Sequence, residues 1–302
     1  MKLFFDLSSR IKLRITGGDR ERFLNGQLTN DVRKATETNA IEACALSAKG
    51  KLTAHLFLTE DEDAFLIDAD PDQCESLLAR LERYIIADDV QIEDVSERFS
   101  IFHALGEVRP MLPDEFKIRL SNRFDESGLD IWCAPQRHDE VFENLAGQFR
   151  FCDDECAEVF RIERGIPRWG SELIGEIIPI EANLEARTID YEKGCYIGQE
   201  VISRMKMSGQ TNKRLCGLVG AGLERGMKLN SGTIAEQPHR LLETREAGWI
   251  TSVADSERLG KRIALGFVKR GFNVPGTKLR VFDPAGSQTS VLVKVVDLPF
   301  AR

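Results

Sequence analysis

Lys193-Gly194-Cys195-Tyr196-Ile197-Gly198-Gln199-Glu200 places one thiol between a lysine and an aromatic ring, with a glycine on either side. Glycine lets the backbone turn tightly or lets a ligand approach it. From Gln199 to Met207 the acid comes first and the bases last, as the dipole of a short helix favours. Cys195 is therefore expected in the turn before a helix N-terminus. That position, with Lys193 nearby, lowers thiol pKa values from about 8.5 towards ~3.5–7.5. Cys195 is a candidate reactive thiolate, and Lys193 is a candidate activator.

Downstream of Gly209 the pattern changes. Leu215–Gly220, Lys228–Leu229, Gly248–Val253, Ile263–Val268, Lys278–Val281 and Val291–Val296 read as short strands between glycine-rich turns. This predicts a β-barrel or sandwich of roughly ninety residues. Gly220-Ala-Gly222-Leu-Glu-Arg-Gly226 lacks the helix and spacing of a dinucleotide fingerprint and reads as a barrel turn. Arg204, Lys206, Lys213 and Arg214 form either a solvated basic face or an electrostatic site for an anionic tail.

Upstream, Ile166–Gly175 is irregular, as functional or lid-like loops are. A helix is expected from Asp153 to Gly165, with Cys156, Val159, Phe160 and Glu163 on its inward stripe. A carboxylate there needs a partner. Arg161, Arg164 or an edge position could supply it, or Glu163 could face a polar ligand.

The N-terminal half shows two sets of strands and helices. Ile11–Ile15 alternates as a strand. Asp19 is placed to cap a helix over Arg20–Leu24, which Gly26 would end. Gln27–Asp31 is polar, and turn chemistry by Asn30 and Asp31 is favoured locally over ligand recognition. Ile41–Leu46 and Leu52–Leu58 form a hairpin, followed by a strand at Ala64–Ile67. Asp70, Pro71 and Gln73 make a capping box ahead of a helix that buries Cys74, Leu77, Leu78, Leu81, Tyr84 and Ile85. Val90–Val95 returns as a strand. In the second set, Ile101–Leu105 and Gly128–Cys133 are strands and Asp139–Leu145 is a helix.

At 302 residues, with 42% hydrophobic and 30% charged residues, the chain reads as a soluble globular protein of two or three domains. A net charge of −8 argues against a general nucleic-acid surface. The apolar run at the start is broken by Asp6, and no stretch approaches a membrane span, so a cytoplasmic protein is expected. Seven cysteines in no framework spacing favour reduced thiols. Neither Cys152-x-x-x-Cys156 nor the four histidines, His55, His103, His138 and His239, forms a local metal site.

The octapeptide 193–200 resembles the signature of the YgfZ family of folate-binding proteins. That family includes mitochondrial relatives that help mature iron–sulfur proteins, and it is related to the glycine cleavage T-protein, an aminomethyltransferase. The resemblance runs along essentially the whole chain: Phe23–Val32, Ser47–Lys51, Arg161–Pro167, Gly248–Ser252 and Ala264–Val268 resemble shared blocks in the expected order. It implies an α+β fold of two similar, ferredoxin-like α/β folate-binding subdomains (1–98 and 99–210) and a C-terminal β-barrel (211–302) in a three-lobed ring around folate. It also implies a tetrahydrofolate or one-carbon derivative as ligand. Asn30, Asp31, Glu163, Tyr196, Gln199, Arg204 and Arg214 would contact it. Glu163 would accept from the pterin, and Arg204, Lys213 or Arg214 would meet the glutamate tail.

The T-proteins carry an aspartate in the strand after the hairpin. The matching positions here are Ala54 and His55, and neither supplies a carboxylate. T-proteins in turn lack the motif cysteine. The resemblance therefore implies support of iron–sulfur cluster assembly or repair, and through it tRNA modification, with assembly machinery or client proteins as partners. A folate-dependent one-carbon transferase and a non-catalytic folate-sensing module are the alternatives.

Overall fold

The structure, a computed structural model, describes residues 2–106, 110–113, 116–231, 245–282 and 290–300. The chain divides into two compact units. Unit 1 comprises 1–157, 174–179 and 184–207; unit 2 comprises 158–173, 180–183 and 208–302.

Along the first part of the chain run β1 (Leu3–Asp6), β2 (Ile11–Thr16), α1 (Arg20–Gln27), β3 (Ile41–Leu46), β4 (Leu52–Asp61), β5 (Ala64–Ala69), α2 (Cys74–Glu82) and β6 (Gln91–Asp94). Then come β7 (Ser100–Leu105), β8 (Lys117–Ser121), β9 (Gly128–Cys133), α3 (His138–Ala146), β10 (Arg150–Phe151) and α4 (Asp154–Arg164). Unit 1 contains two five-stranded sheets, ordered β3-β4-β5-β2-β6 and β10-β1-β7-β9-β8. In each, a hairpin leads into a short helix and then an edge strand, so the expected duplication of element order is present. The strand β1 crosses the expected boundary at residue 98, because it pairs with β7 and β10 of the second sheet.

The first sheet buries Leu13, Ile15, Leu56, Leu58 and Ile67 against Leu77 and Leu81 of α2. Phe4, Phe102, Ile131, Val141 and Leu145 form the core of the second. Local signals explain several ends. Asp70 accepts from Asp72 N and Pro71 opens the turn before α2, as expected. Gln73 completes no capping box. It is fully buried, and its side-chain amide bonds both backbone groups of His55. Tyr84 lies beyond α2 and is 38% exposed. Asp19 makes no side-chain cap, and α1 continues through Gly26 to Gln27. Lys12, expected on the solvent side of β2, is 1% exposed, with Nζ donating to the Ser8 and Ser96 carbonyls.

The expectation that the cysteines are reduced fails at one pair. Cys152 and Cys156 form a disulfide across the first turn of α4, with Cα atoms 5.2 Å apart. The chain turns into the helix there, which brings positions four apart within bridging distance. Cys44, Cys74, Cys133, Cys195 and Cys216 are free, and of these only Cys195 is exposed.

The helices α5 (Glu185–Thr188) and α6 (Gln199–Ser208) complete unit 1. In unit 2, β11 (Lys213–Val219), β12 (Lys228–Ser231), β13 (Arg245–Ser256), β14 (Lys261–Lys269), β15 (Lys278–Phe282) and β16 (Ser290–Val296) close into a six-stranded barrel ordered β11-β14-β13-β12-β15-β16. Leu218, Leu229, Ile250, Val268, Leu279 and Val293 fill its core. Closure leaves no free sheet edge. Among the described residues, no helix is long and apolar enough to cross a membrane.

Candidate functional site

In unit 1, Cys195 stands exposed in the turn that ends at α6, where the sequence places it. The turn is fixed from both sides. Gly198 has φ +88°, and a Cβ there would lie 2.7 Å from the Ser47 carbonyl oxygen, so only glycine lets α6 start against the β3–β4 turn. Ile197 N donates to Gly26 O at 3.2 Å. Gly194 has no such neighbour: a Cβ there would meet nothing within 4 Å, so packing does not explain it.

Lys193 is 6% exposed and holds the turn to the segment after α1. Its ammonium donates to the carbonyls of Asn25 (2.8 Å), Leu28 (2.6 Å) and Asn30 (2.7 Å). An ammonium has three N–H bonds, so all are directed to main-chain oxygens and none to the Cys195 sulfur. Lys193 thus braces the turn that carries Cys195. Burial lowers its pKa to about 8, against the opposing charges of Asp31 and Asp190. Replacing it with methionine strands three carbonyls. Lys193→Met is expected to lose about 2–4 kcal/mol in urea denaturation, whereas Cys195→Ser, at an exposed position, should stay within about 0.5 kcal/mol of wild type. Equal stabilities would remove Lys193 from this role.

Tyr196 lies beside this lysine, its ring 5.2 Å from Nζ. The phenol is 7% exposed, burial raises its pKa to about 12, and its hydroxyl has no partner among the described residues. The structure thus brings Asn30, Lys193 and Tyr196 together. Asn30 and Asp31 show the turn chemistry favoured locally. Asn30 Oδ1 accepts from Asp31 N, and its Nδ2 donates to the carbonyls of Glu42 and Arg187. Asp31 Oδ1 accepts from Arg33 N, and both its oxygens bind the Arg33 guanidinium. Gln199 opens α6, its N–H on the Tyr196 carbonyl at 3.2 Å. Arg204 is a surface residue paired with Glu200, and Lys206 pairs with Glu185.

A buried triad that local patterns do not reveal lies on β3, β4 and α5. Glu42, 5% exposed, accepts from Arg187 through both oxygens and contacts His55 Nε2 at 2.7 Å. Burial alone would raise this carboxyl, but the Arg187 charge and the His55 hydrogen bond outweigh it and hold it at about 2. Ala54 is buried in β4, and His55 is engaged by Glu42. A carboxylate thus lies beside the positions that lack one, but an arginine holds it ionised. Because its folded pKa lies below the unfolded value of about 4.3, its contribution is full above that pH and is lost as pH falls towards about 2. Glu42→Gln is expected to cost about 3 kcal/mol at pH 7, a deficit that narrows below pH 4 in denaturation measured against pH. A constant deficit would contradict the pairing.

In unit 2, Glu163 is 6% exposed near the end of α4. Arg161 does not compensate it. Ser256 Oγ donates to Oε1 and Arg258 Nε to Oε2 at 2.9 Å, both from the end of β13 and the turn beyond it. Arg161 is taken by Glu158, Glu172 and Ser252. The Arg258 side chain is half exposed. Arg214 donates to Asn183 Oδ1 at 2.7 Å, and Lys213 lies 5.4 Å from the Trp249 ring. The four basic residues after the octapeptide therefore each have a local partner. Of the histidines, His103 is buried against Asp130, His138 contacts Asp6, and His239 lies outside the described residues.

Residues 213–301 match the family model described as the glycine cleavage T-protein C-terminal barrel domain. The crystal structure of aminomethyltransferase T of the glycine cleavage system from Bartonella henselae superposes with a TM-score of 0.82 over 99% of this chain and 86% of that one. At 18% identity this shows the fold alone. The tRNA-modifying protein YgfZ of Escherichia coli O7:K1 is 30% identical over 226 residues, covering 68% of each chain. The chain belongs to the YgfZ family. The mitochondrial iron–sulfur cluster assembly factor IBA57 homolog of Dictyostelium discoideum is 24% identical over 252 residues, and this YgfZ-family chain spans 62% of that protein's length.

Proposed function

We propose that this protein binds tetrahydrofolate or a one-carbon derivative and supports iron–sulfur cluster assembly or repair, and through it tRNA modification, with Cys195 as its essential residue. The observation that carries this reading is the exposed, free Cys195 on a rigidly held family octapeptide. The names of two relatives, a tRNA-modifying protein and an iron–sulfur assembly factor, agree with it. The fold shared with aminomethyltransferase T supports folate as the ligand. Candidate contacts in unit 1 are Asn30, Asp31, Tyr196, Gln199 and Arg204, of which Tyr196 has the unpartnered hydroxyl. In unit 2 they are Glu163 and Arg214. Arg258, half exposed, would yield its place on Glu163 to the N–H donors of a pterin.

Aminomethyl transfer is disfavoured chemically. Ala54 carries no acid, and Glu42 is fixed as an arginine-bound carboxylate, a poor proton acceptor near neutral pH. Equilibrium dialysis with tetrahydrofolate is expected to give saturable binding that Glu163→Gln, folded by circular dichroism, weakens at least tenfold. Unchanged affinity would remove Glu163 from the site, and absence of saturable binding to wild type would refute the folate assignment.

A further inference from the structure

The strand β8 of unit 1 buries Arg119 and Ser121. Arg119 is 1% exposed while its neighbour Leu120 is 50% exposed. Arg119 Nη2 donates to Asp61 Oδ1 at 2.8 Å, but Nε and Nη1, both buried, have no acceptor among the described residues. The buried indole Nε1–H of Trp132 on β9 has none either. The guanidinium lies 5.5 Å from the Trp132 ring. A ring face attracts the charge but gives the N–H bonds no lone pair. Buried donors without acceptors are rare, and an absent water, ion or ligand is one cause of them.

Both side chains line one cavity of about 250 Å³. Leu66, Phe99, Phe116 and Trp132 give it apolar and aromatic walls. Its charged lining is Lys117, Arg119 and Arg137, with no acid lining it among the described residues. Lys117 and Arg119 share the single carboxylate of Asp61; Glu62 lies 3.7 Å from Lys117 but is largely exposed. Arg137 pairs with Glu140. Asp130 and Glu37 also act on Arg119, from further away than Asp61, and the space is just below the ~300–1,000 Å³ typical of drug-sized ligands.

We propose that this cavity is a second binding site, for a small aromatic carboxylate. The ring would lie among Trp132 and the phenylalanines. The carboxylate would supply the acceptors that Arg119 and Trp132 lack. The aromatic walls favour a carboxylate carried on a ring over inorganic phosphate.

The test follows the three tryptophan indole N–H signals of the ¹⁵N-labelled full chain by NMR, with Trp132→Phe assigning the one that matters. Benzoate, its neutral isostere benzamide and inorganic phosphate are titrated separately. Benzoate is expected to shift the Trp132 signal saturably, at least tenfold more tightly than benzamide, with phosphate giving no such shift. Arg119→Gln should weaken benzoate at least tenfold. If that variant does not fold, Ala134→Phe decides: it fills the cavity while keeping Arg119, and it should abolish the shift. The proposal is overturned if benzoate gives no saturable shift, if benzamide binds equally, if phosphate alone binds, or if Ala134→Phe leaves the affinity unchanged.

Discussion

Arg123→Met is expected to destabilise the protein by about 3–5 kcal/mol, the range for removing one partner of a buried ion pair. Within unit 1, Asp68 belongs to β5 of the first sheet and Asp130 to β9 of the second, and both are essentially inaccessible. Arg123 joins them. Nη1 and Nη2 donate to the two oxygens of Asp68 at 2.9 and 2.8 Å, and Nε and Nη2 to those of Asp130 at 2.8 Å each. The guanidinium also lies 4.2 Å from the Phe57 ring. Burial would raise both carboxyls, but the arginine outweighs it and holds them below their usual range. His103, whose pKa burial lowers, is neutral and donates Nδ1–H to Asp130. Methionine fills the volume but leaves two acids facing each other, with Arg10 remaining on Asp68. Their pKa values would then rise above the unfolded ones, so the deficit should shrink as pH falls and the acids take up protons. Urea denaturation at pH 7 and pH 4.5 checks both statements. A loss below about 1 kcal/mol, or one that grows at the lower pH, would show that the two sheets do not depend on this cation.

Much of the fold was legible because burial follows hydrophobic period. All six barrel strands, the β3–β4 hairpin, α2, α3 and α4 lie where periodicity and turn residues put them. The strand β8 was not legible, because Lys-Ile-Arg-Leu-Ser buries Arg119 and Ser121 and exposes Leu120, inverting the usual pattern. The strand β1 was visible only as an apolar run, since its partners β7 and β10 come about a hundred and about a hundred and fifty residues later. Position in the candidate site was legible where it is local, as for Cys195 before α6. Compensation was not, because it is made over long sequence distances. Glu42 meets Arg187, Glu163 meets Arg258, and Lys193 meets carbonyls near residue 28. A helical stripe shows that Glu163 needs a partner without showing which one.

Cys195→Ala carries the largest functional effect expected here: loss of activity in the cell with the fold intact. The side chain is exposed and free, so its removal should leave stability within about 0.5 kcal/mol. The surroundings are nevertheless costly to build. Lys193 is buried to brace the turn, and Gly198 admits no side chain. Such bracing of an exposed thiol stabilises its presentation, not the thiol itself. The decisive measurement is complementation of a bacterial strain lacking its YgfZ-family protein, under oxidative stress, with wild type and Cys195→Ala expressed to equal levels, scored by growth and by tRNA thiomodification. Rescue by wild type and none by Cys195→Ala is expected; full rescue by Cys195→Ala would contradict the central role of this residue.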